Sequence, residues 1–267
     1  MTTGALIFAF NNEETDYVSM AAWSARRIRK HLGIPTAIIT DIDPSDSRLS
    51  ACDQVITSAP ASGGSRYFED YEKSVTWFNA GRTDAYGLTP WQQTLVLDAD
   101  YVVCSNDLKQ VLNAPQDFMA FRQSYNVTDP SQDFLSTFGR NRFPMWWATV
   151  MMFRRSNTAQ YIFECMQMIR ANWQHYRELY GITEKNYRND YALSIALGIV
   201  SGHTLTVDDI PWAMASVMPE SELTRHDDSV EFWNIRYQSK GHAKMITLVG
   251  QDFHAMGKRH LETAIAT

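Results

Sequence analysis

The chain lacks most of the features that assign a class at sight. It has three cysteines in 267 residues, Cys52, Cys104 and Cys165, odd in number and far apart. They exclude a disulfide framework and any cysteine-based metal spacing, and they fit a reducing cytoplasm. No apolar run approaches the ~18 residues of a membrane span. The apolar stretch Ala5 to Phe10 is too short for a signal core, has no basic leader, and runs into Glu13 and Glu14, so no export signal is expected. Positive charge is in deficit: 24 Lys and Arg against 30 Asp and Glu, a net charge of -6. This excludes a global basic field for nucleic acid, though not a local basic face. There is no internal repeat, low-complexity tract or linker. What the chain does hold is 45% hydrophobic residues with 8 Trp and 12 Tyr, a composition suited to a globular core and to aromatic-lined clefts.

Patterning predicts one α/β domain. "GALIFAF" is a buried strand. Tyr17, Met20, Ala21, Ser24, Ile28 and Leu32 share a helical face, with Asp16 as N-cap and Gly33 as stop. "TAIITD" is a second buried strand, completing a βαβ unit with a parallel pair. "DQVITSAP" is a third. Residues 60–68 read as a Gly/Ser-rich loop and 69–87 as helix and loop. "TLVLDAD" is the next buried strand, "LKQVLN" a short helix and "DFMAFR" a strand. An irregular polar segment then runs to Phe143. "WWATVMMFRR" is a strand, 158–180 one helix, "NDYALSIALGIV" another, and "TLTVDDI" and "KMITLVG" are late strands.

The chemistry starts at Asp98 and Asp100. Residues two apart on a strand point the same way, and two carboxylates side by side repel unless a cation lies between them. A hard divalent ion such as Mn²⁺ or Mg²⁺ takes oxygen ligands and bridges to a diphosphate. The bland alternative is a turn cap beside a solvated carboxylate. The preceding hydrophobic strand favours a crevice, because ligands bind beyond the carboxyl ends of parallel strands. Far downstream, "DFHAMGKRHL" offers His254 as a third ligand, Gly257 for close backbone approach to a phosphate, and Lys258 as its counter-charge.

Four stretches resemble GT-A-fold glycosyltransferases of the glycogenin and lipopolysaccharide galactosyltransferase group, phage-encoded members in particular. They are "ALIFAFNNEETDYVSMAAWSARRIRKHLGIPTAIITD", "TPWQQTLVLDADYVVCSNDL", "WWATVMMFRRS" and "QDFHAMGKRHL". Three departures stand out. Lys258 directly follows Gly257, the "WWATVMMF" strand lacks Asn-Ala-Gly, and the later helix starts Asn189-Asp190-Tyr191 rather than Asp-Gln.

The resemblance implies a GT-A-like, mostly parallel sheet flanked by helices. It implies one domain over 1–267, with a nucleotide-binding half (1–107) and an acceptor half with the metal and diphosphate segment (108–267). It implies transfer of a sugar from a nucleoside diphosphate, UDP in first place, with Mn²⁺ or Mg²⁺ held by Asp98, Asp100 and His254. Lys258 and Asp190 would be catalytic. Ala9, Phe10, Asn11, Asp41, Lys73, Arg82, Tyr86, Asp98, Trp147, Asn189, Gly257 and Lys258 would bind substrate. Asp41 serves equally as a turn cap, and Asn189 or Asp190 as a helix cap. The acceptor stays open. Basic residues (Arg26 to Lys30, Arg140, Arg142, Arg154, Arg155, Arg259) and aromatics (Phe143, Trp146, Trp147, Trp212, Trp233) suit a modified pyrimidine in DNA, in a host cytoplasm, and a glycan suits them as well. A nucleotidyltransferase would carry an N-terminal Gly-rich basic signature, which "FAFNNEE" lacks. A non-catalytic sugar-nucleotide-binding module is the remaining alternative.

Overall fold

Strand β1 (Thr3–Phe8) is apolar on both faces: Ala5, Ile7 and Ala9 enter one core, and Leu6, Phe8 and Phe10 the other. Such a strand must lie inside a sheet covered on both sides. The computed structural model, which describes residues 2–69, 71–133, 136–204, 208–227 and 230–266, puts it there. The further strands are β2 (Thr36–Thr40), β3 (Gln54–Thr57), β4 (Ser65–Phe68), β5 (Lys73–Thr76), β6 (Gln93–Leu97), β7 (Tyr101–Val102), β8 (Phe118–Phe121), β9 (Ser124–Asn126), β10 (Asp129–Asp133), β11 (Thr137–Phe138), β12 (Phe143–Pro144), β13 (Trp147–Arg154), β14 (Met214–Val217), β15 (Glu222–Asp227), β16 (Glu231–Ser239), β17 (His242–Val249) and β18 (Phe253–Ala255). The helices are α1 (Tyr17–Leu32), α2 (Ala85–Leu88), α3 (Leu108–Asn113), α4 (Asn157–Ala171), α5 (Trp173–Leu179), α6 (Asn189–Val200) and α7 (Lys258–Ala266).

The central sheet runs β3-β2-β1-β6-β13-β8. β3, β2, β1 and β6 are mutually parallel, and only β13 runs against its neighbours β6 and β8. The expected α/β class, a mostly parallel sheet flanked by helices, is therefore what the chain adopts. α1 packs on one face and α4 with α6 on the other. α1 begins as its sequence predicts: the Asp16 carboxylate accepts from the Ser19 N–H at 3.1 Å. Gly33, at φ 70°, closes it with a left-handed turn that only glycine adopts freely.

A second sheet runs β10-β9-β14-β18-β7. Its last strand starts at Tyr101, immediately after Asp100. The Asp98–Asp100 segment is thus the step from one sheet to the other. This explains why an apolar strand delivers two carboxylates and then returns at once to Tyr-Val-Val. The Tyr101 N–H closes the step on the Asp98 carbonyl at 3.1 Å. A third sheet, β15-β16-β17, is antiparallel and docks on α1 through Trp233 against Trp23.

Several expectations are corrected. The expected loop at 60–68 and the segment after it form a β4–β5 hairpin, then a 3₁₀ turn (Ala80–Asp84) and α2. The glycines do not loosen this region. A Cβ on Gly63 would lie 2.0 Å from the Trp77 ring, so glycine lets the indole pack flat against the chain. The single helix expected over 158–180 breaks at Asn172, whose φ and ψ are -119° and 37°. The irregular segment before Phe143 holds β9 to β12. β14, β15, β16 and β18 were not expected, and the late "KMITLVG" strand is the outer arm of the β16–β17 hairpin. The expected strand at 204–210 falls in part on 205–207, outside the described residues, and Asp209 makes an isolated bridge to Ala120.

Candidate active site

The carboxyl ends of β1 and β6 open into a cleft of ≈ 310 Å³. Because β13 runs the other way, its first residue, Trp147, lies at the same end and lines the cleft with Phe10. Asp98 and Asp100 enter from the step between the sheets. His254 comes from β18, whose register pairs it with Tyr101 of β7. Ligand atoms of Asp98, Asp100 and His254 lie within 4.8 Å of one another. Two carboxylate oxygens and one imidazole nitrogen make a donor set that fits Mn²⁺ or Mg²⁺.

Each carboxylate already has a cation. Lys258, the first residue of α7, pairs with Asp100 Oδ2, and His254 Nε2 lies 3.5 Å from the same oxygen. Burial opposes ionisation of Asp100, but Lys258 and His254 outweigh it and hold the carboxyl well below the usual range. Asp98 pairs with the buried Arg82 and accepts from Asn79 Nδ2 at 3.3 Å. Arg82 also donates to the Ala148 carbonyl at 2.7 Å, and burial pushes its guanidinium down to about 10.

The cleft continues to the N-terminus of α6. Asn189 Nδ2 donates to the Asn79 carbonyl at 2.8 Å, so Asn79 touches both Asp98 and Asn189. Asp190 Oδ1 accepts from the Ala148 N–H at 3.0 Å, and Oδ2 pairs with Arg188 at 2.9 Å. Burial opposes its charge, but Arg188 and that N–H hold Asp190 ionised below the ordinary value. Arg66 of the β4–β5 hairpin lies over the Trp77 ring, 3.7 Å from its centroid.

The structure therefore brings together Phe10, Arg82, Asp98, Asp100, Trp147, Asn189, Asp190, His254 and Lys258. It does not bring in the other candidates. Ala9 is in the core on the opposite face of β1. Asn11 Oδ1 accepts from the Val18 N–H at 3.0 Å and organises the start of α1. Asp41 is exposed beyond β2. Lys73 pairs with Glu14, away from the cleft. Tyr86 packs on Phe153 and Phe163, because the 3₁₀ turn before it rotates it away from Arg82. Gly257 faces the Pro219 carbonyl, which an added Cβ would approach to 2.8 Å, so its close contact is with protein.

The supposed basic and aromatic features are also largely internal. Arg27 donates to the Val103 carbonyl and pairs with Glu231. Arg154 and Arg155 donate to backbone carbonyls. Trp146 and Trp233 are buried, and Phe143 packs on Tyr180.

Sequence reading missed Asn79, Arg188, Trp77, Ser124 and Ser216 as cleft residues. Arg188 had one available signal, its place directly before the α6 start. The two serines, 2.9 Å apart across β9 and β14, had none.

No protein-family model and no curated protein sequence matches the chain. Solved structures do. The glycosyltransferase GlyE of Streptococcus pneumoniae aligns at 12% identity and TM-score 0.45, over 79% of this chain and 46% of its own. The galactosyltransferase LgtC in complex with donor and acceptor sugar analogs aligns at 13% and 0.46, over 73% and 70%. Mouse xyloside xylosyltransferase 1 aligns at 11% and 0.46, over 79% and 87%. The chain thus spans less than half the length of GlyE. No helix among the described residues is long and apolar enough to cross a membrane.

Proposed function

We propose that the protein is a glycosyltransferase that moves a sugar from a nucleoside diphosphate, UDP in first place, to an acceptor hydroxyl. One observation carries this reading: Asp98, Asp100 and His254 converge beside Lys258 and Arg82 in a cleft at the carboxyl ends of a mostly parallel sheet. A divalent cation bound by the three ligands would offset the charge of a diphosphate leaving group. Once Asp100 is bound to that cation, Lys258 is released to donate to phosphate oxygens. Arg82 adds charge from the buried wall. Phe10 and Tyr17 line the part of the cleft where a base and ribose would lie. Asp190, kept ionised, would stabilise positive charge developing at the anomeric carbon. In this reading residues 1–107 supply most nucleotide contacts. Residues 108–267 supply the acceptor side and close the metal and diphosphate site.

For the acceptor we favour a glycan hydroxyl over a modified pyrimidine in DNA. The DNA reading needs a free basic face, and Arg27, Arg154 and Arg155 are engaged with backbone and with Glu231. The test is a thermal-shift titration of UDP with and without Mn²⁺, then labelled nucleotide sugar with three acceptors: plain DNA, hydroxymethylpyrimidine DNA and mixed oligosaccharides. UDP should raise the melting temperature only with the cation. Absence of that synergy would refute the donor reading, and label in DNA alone would reverse the acceptor choice.

A further inference from the structure

The α6 end of the cleft holds more positive charge than its carboxylates match. Arg82 is paired with Asp98, Lys258 with Asp100 and Arg188 with Asp190. Arg66 makes no ion pair or hydrogen bond among the described residues; its recorded contact is the face of Trp77. Arg66 is part-exposed as a residue, yet its charged end is enclosed. Burial pushes its guanidinium down to about 10, and the nearby Arg188 adds to the effect. Both are the marks of a cation without a counter-ion. Two further polar atoms on cleft residues, Arg188 Nε and Asn79 Oδ1, are buried with no hydrogen-bond partner among the described residues.

The position of this surplus is fixed by contacts. Asn186, just before α6, donates from Nδ2 to the Ser65 carbonyl at 2.5 Å, and Tyr187 lies against Trp77 with ring centroids 6.4 Å apart. Arg66 is therefore docked to the segment that leads into Asp190. The diphosphate group of residues, Asp100, His254 and Lys258, is built instead from β18, α7 and the step between the sheets.

We propose that a sugar handled in this cleft carries a carboxylate, of the uronic acid class, and that Arg66 and Arg188 bind it. The proposal rests on the glycosyltransferase reading above. A guanidinium stacked flat on Trp77 has its plane fixed and its N–H edge free, the geometry that takes a carboxylate in two parallel hydrogen bonds. A neutral hexose would leave the same enclosed charge unmatched, so the site selects against it as well as for the acid. The carboxylate belongs either to the donor sugar or to the acceptor, and direct binding separates the two.

The experiment measures affinity for UDP, UDP-glucose and UDP-glucuronate with Mn²⁺, and for free glucuronate added to the UDP–Mn²⁺ complex. A donor carboxylate gives UDP-glucuronate an advantage over UDP-glucose of about tenfold or more, the scale of a charge-assisted pair. An acceptor carboxylate instead gives glucuronate binding to the UDP–Mn²⁺ complex. In either case Arg66→Gln lowers the preference about tenfold, and Arg66→Lys, a point charge without the fork, restores part of it. The UDP affinity of each variant reports that it is folded. Equal affinity for the two UDP-sugars, with no glucuronate binding, overturns this inference and leaves the donor reading standing. An unchanged preference in Arg66→Gln overturns it too. Failure of the wild type to bind UDP with Mn²⁺ removes the donor reading, and this inference with it.

Discussion

Asp100 and Lys258 compete with a divalent ion for each other. Lys258 occupies the carboxylate that the ion needs. Lys258→Ala should therefore bind Mn²⁺ alone more tightly than wild type, read by calorimetry, while its kcat falls more than its KM rises. That split follows because the charge on the leaving diphosphate grows toward the transition state. Weaker Mn²⁺ binding in this variant would mean the lysine and the ion do not share Asp100. Asp100→Asn should lose the synergy between Mn²⁺ and UDP in thermal shift, by more than the ~10–100-fold in metal affinity that even an outer-shell partner costs. The aspartates were legible because a two-residue repeat on a strand has one meaning. The arginines were not. Arg66 and Lys73 sit on the same hairpin, but one turns to Trp77 in the cleft and the other to Glu14. Sequence gives each a charge and no direction.

Among the elements, α1 offers the cleanest measurement. Its cap, Asp16, has a carboxyl held below the ordinary value: burial opposes this, but the Ser19 hydroxyl and N–H prevail. Asp16→Ala should cost about 1 kcal/mol at neutral pH, a typical cap loss. Because the folded-state pKa is depressed, the wild-type advantage is fully present above the unfolded value of about 3.9 and vanishes as pH falls through the folded value. Urea melts of both proteins at pH 7 and near pH 3 check the window; a difference that persists at low pH would assign it to packing instead. Elements with two apolar faces or a clean helical stripe, such as β1, β6, β13 and α1, were legible. β17 is exposed along most of its length, so it lacks the alternation that betrays a half-buried strand. The break at Asn172 carries no proline or glycine to announce it.

At the scale of the molecule, the third sheet is fastened to α1 by a buried ion pair. Arg27, 4% exposed, joins Glu231 of β16 and the Val103 carbonyl. Removing one partner leaves the other charged and enclosed, so Arg27→Ala should cost about 3–5 kcal/mol in urea denaturation. A loss under about 1 kcal/mol would make the pair a surface contact in effect. The same residue corrects the reading of "RRIRK" as a basic patch: Arg29 pairs with Asp53 and Lys30 with Glu231. The central sheet was legible as a class, yet it draws β8 and β13 from beyond residue 107. The assembly of the smaller sheets depends on pairings between short, distant strands that no local pattern encodes.

Lys258 and Asp100 are 158 residues apart, and the turn between the first two sheets gains its partners only when β18 and α7 arrive. Early in refolding, both carboxylates must face water. Capture of the ion becomes a late event, after the central strands have paired, because the longest closure is entropically the last to be rewarded. We predict that Mn²⁺ leaves the refolding rate unchanged and slows unfolding, as an interaction absent from the transition state does. Stopped-flow tryptophan fluorescence at fixed urea, with and without the ion, measures both limbs, and an accelerated refolding limb would place the site in the nucleus instead.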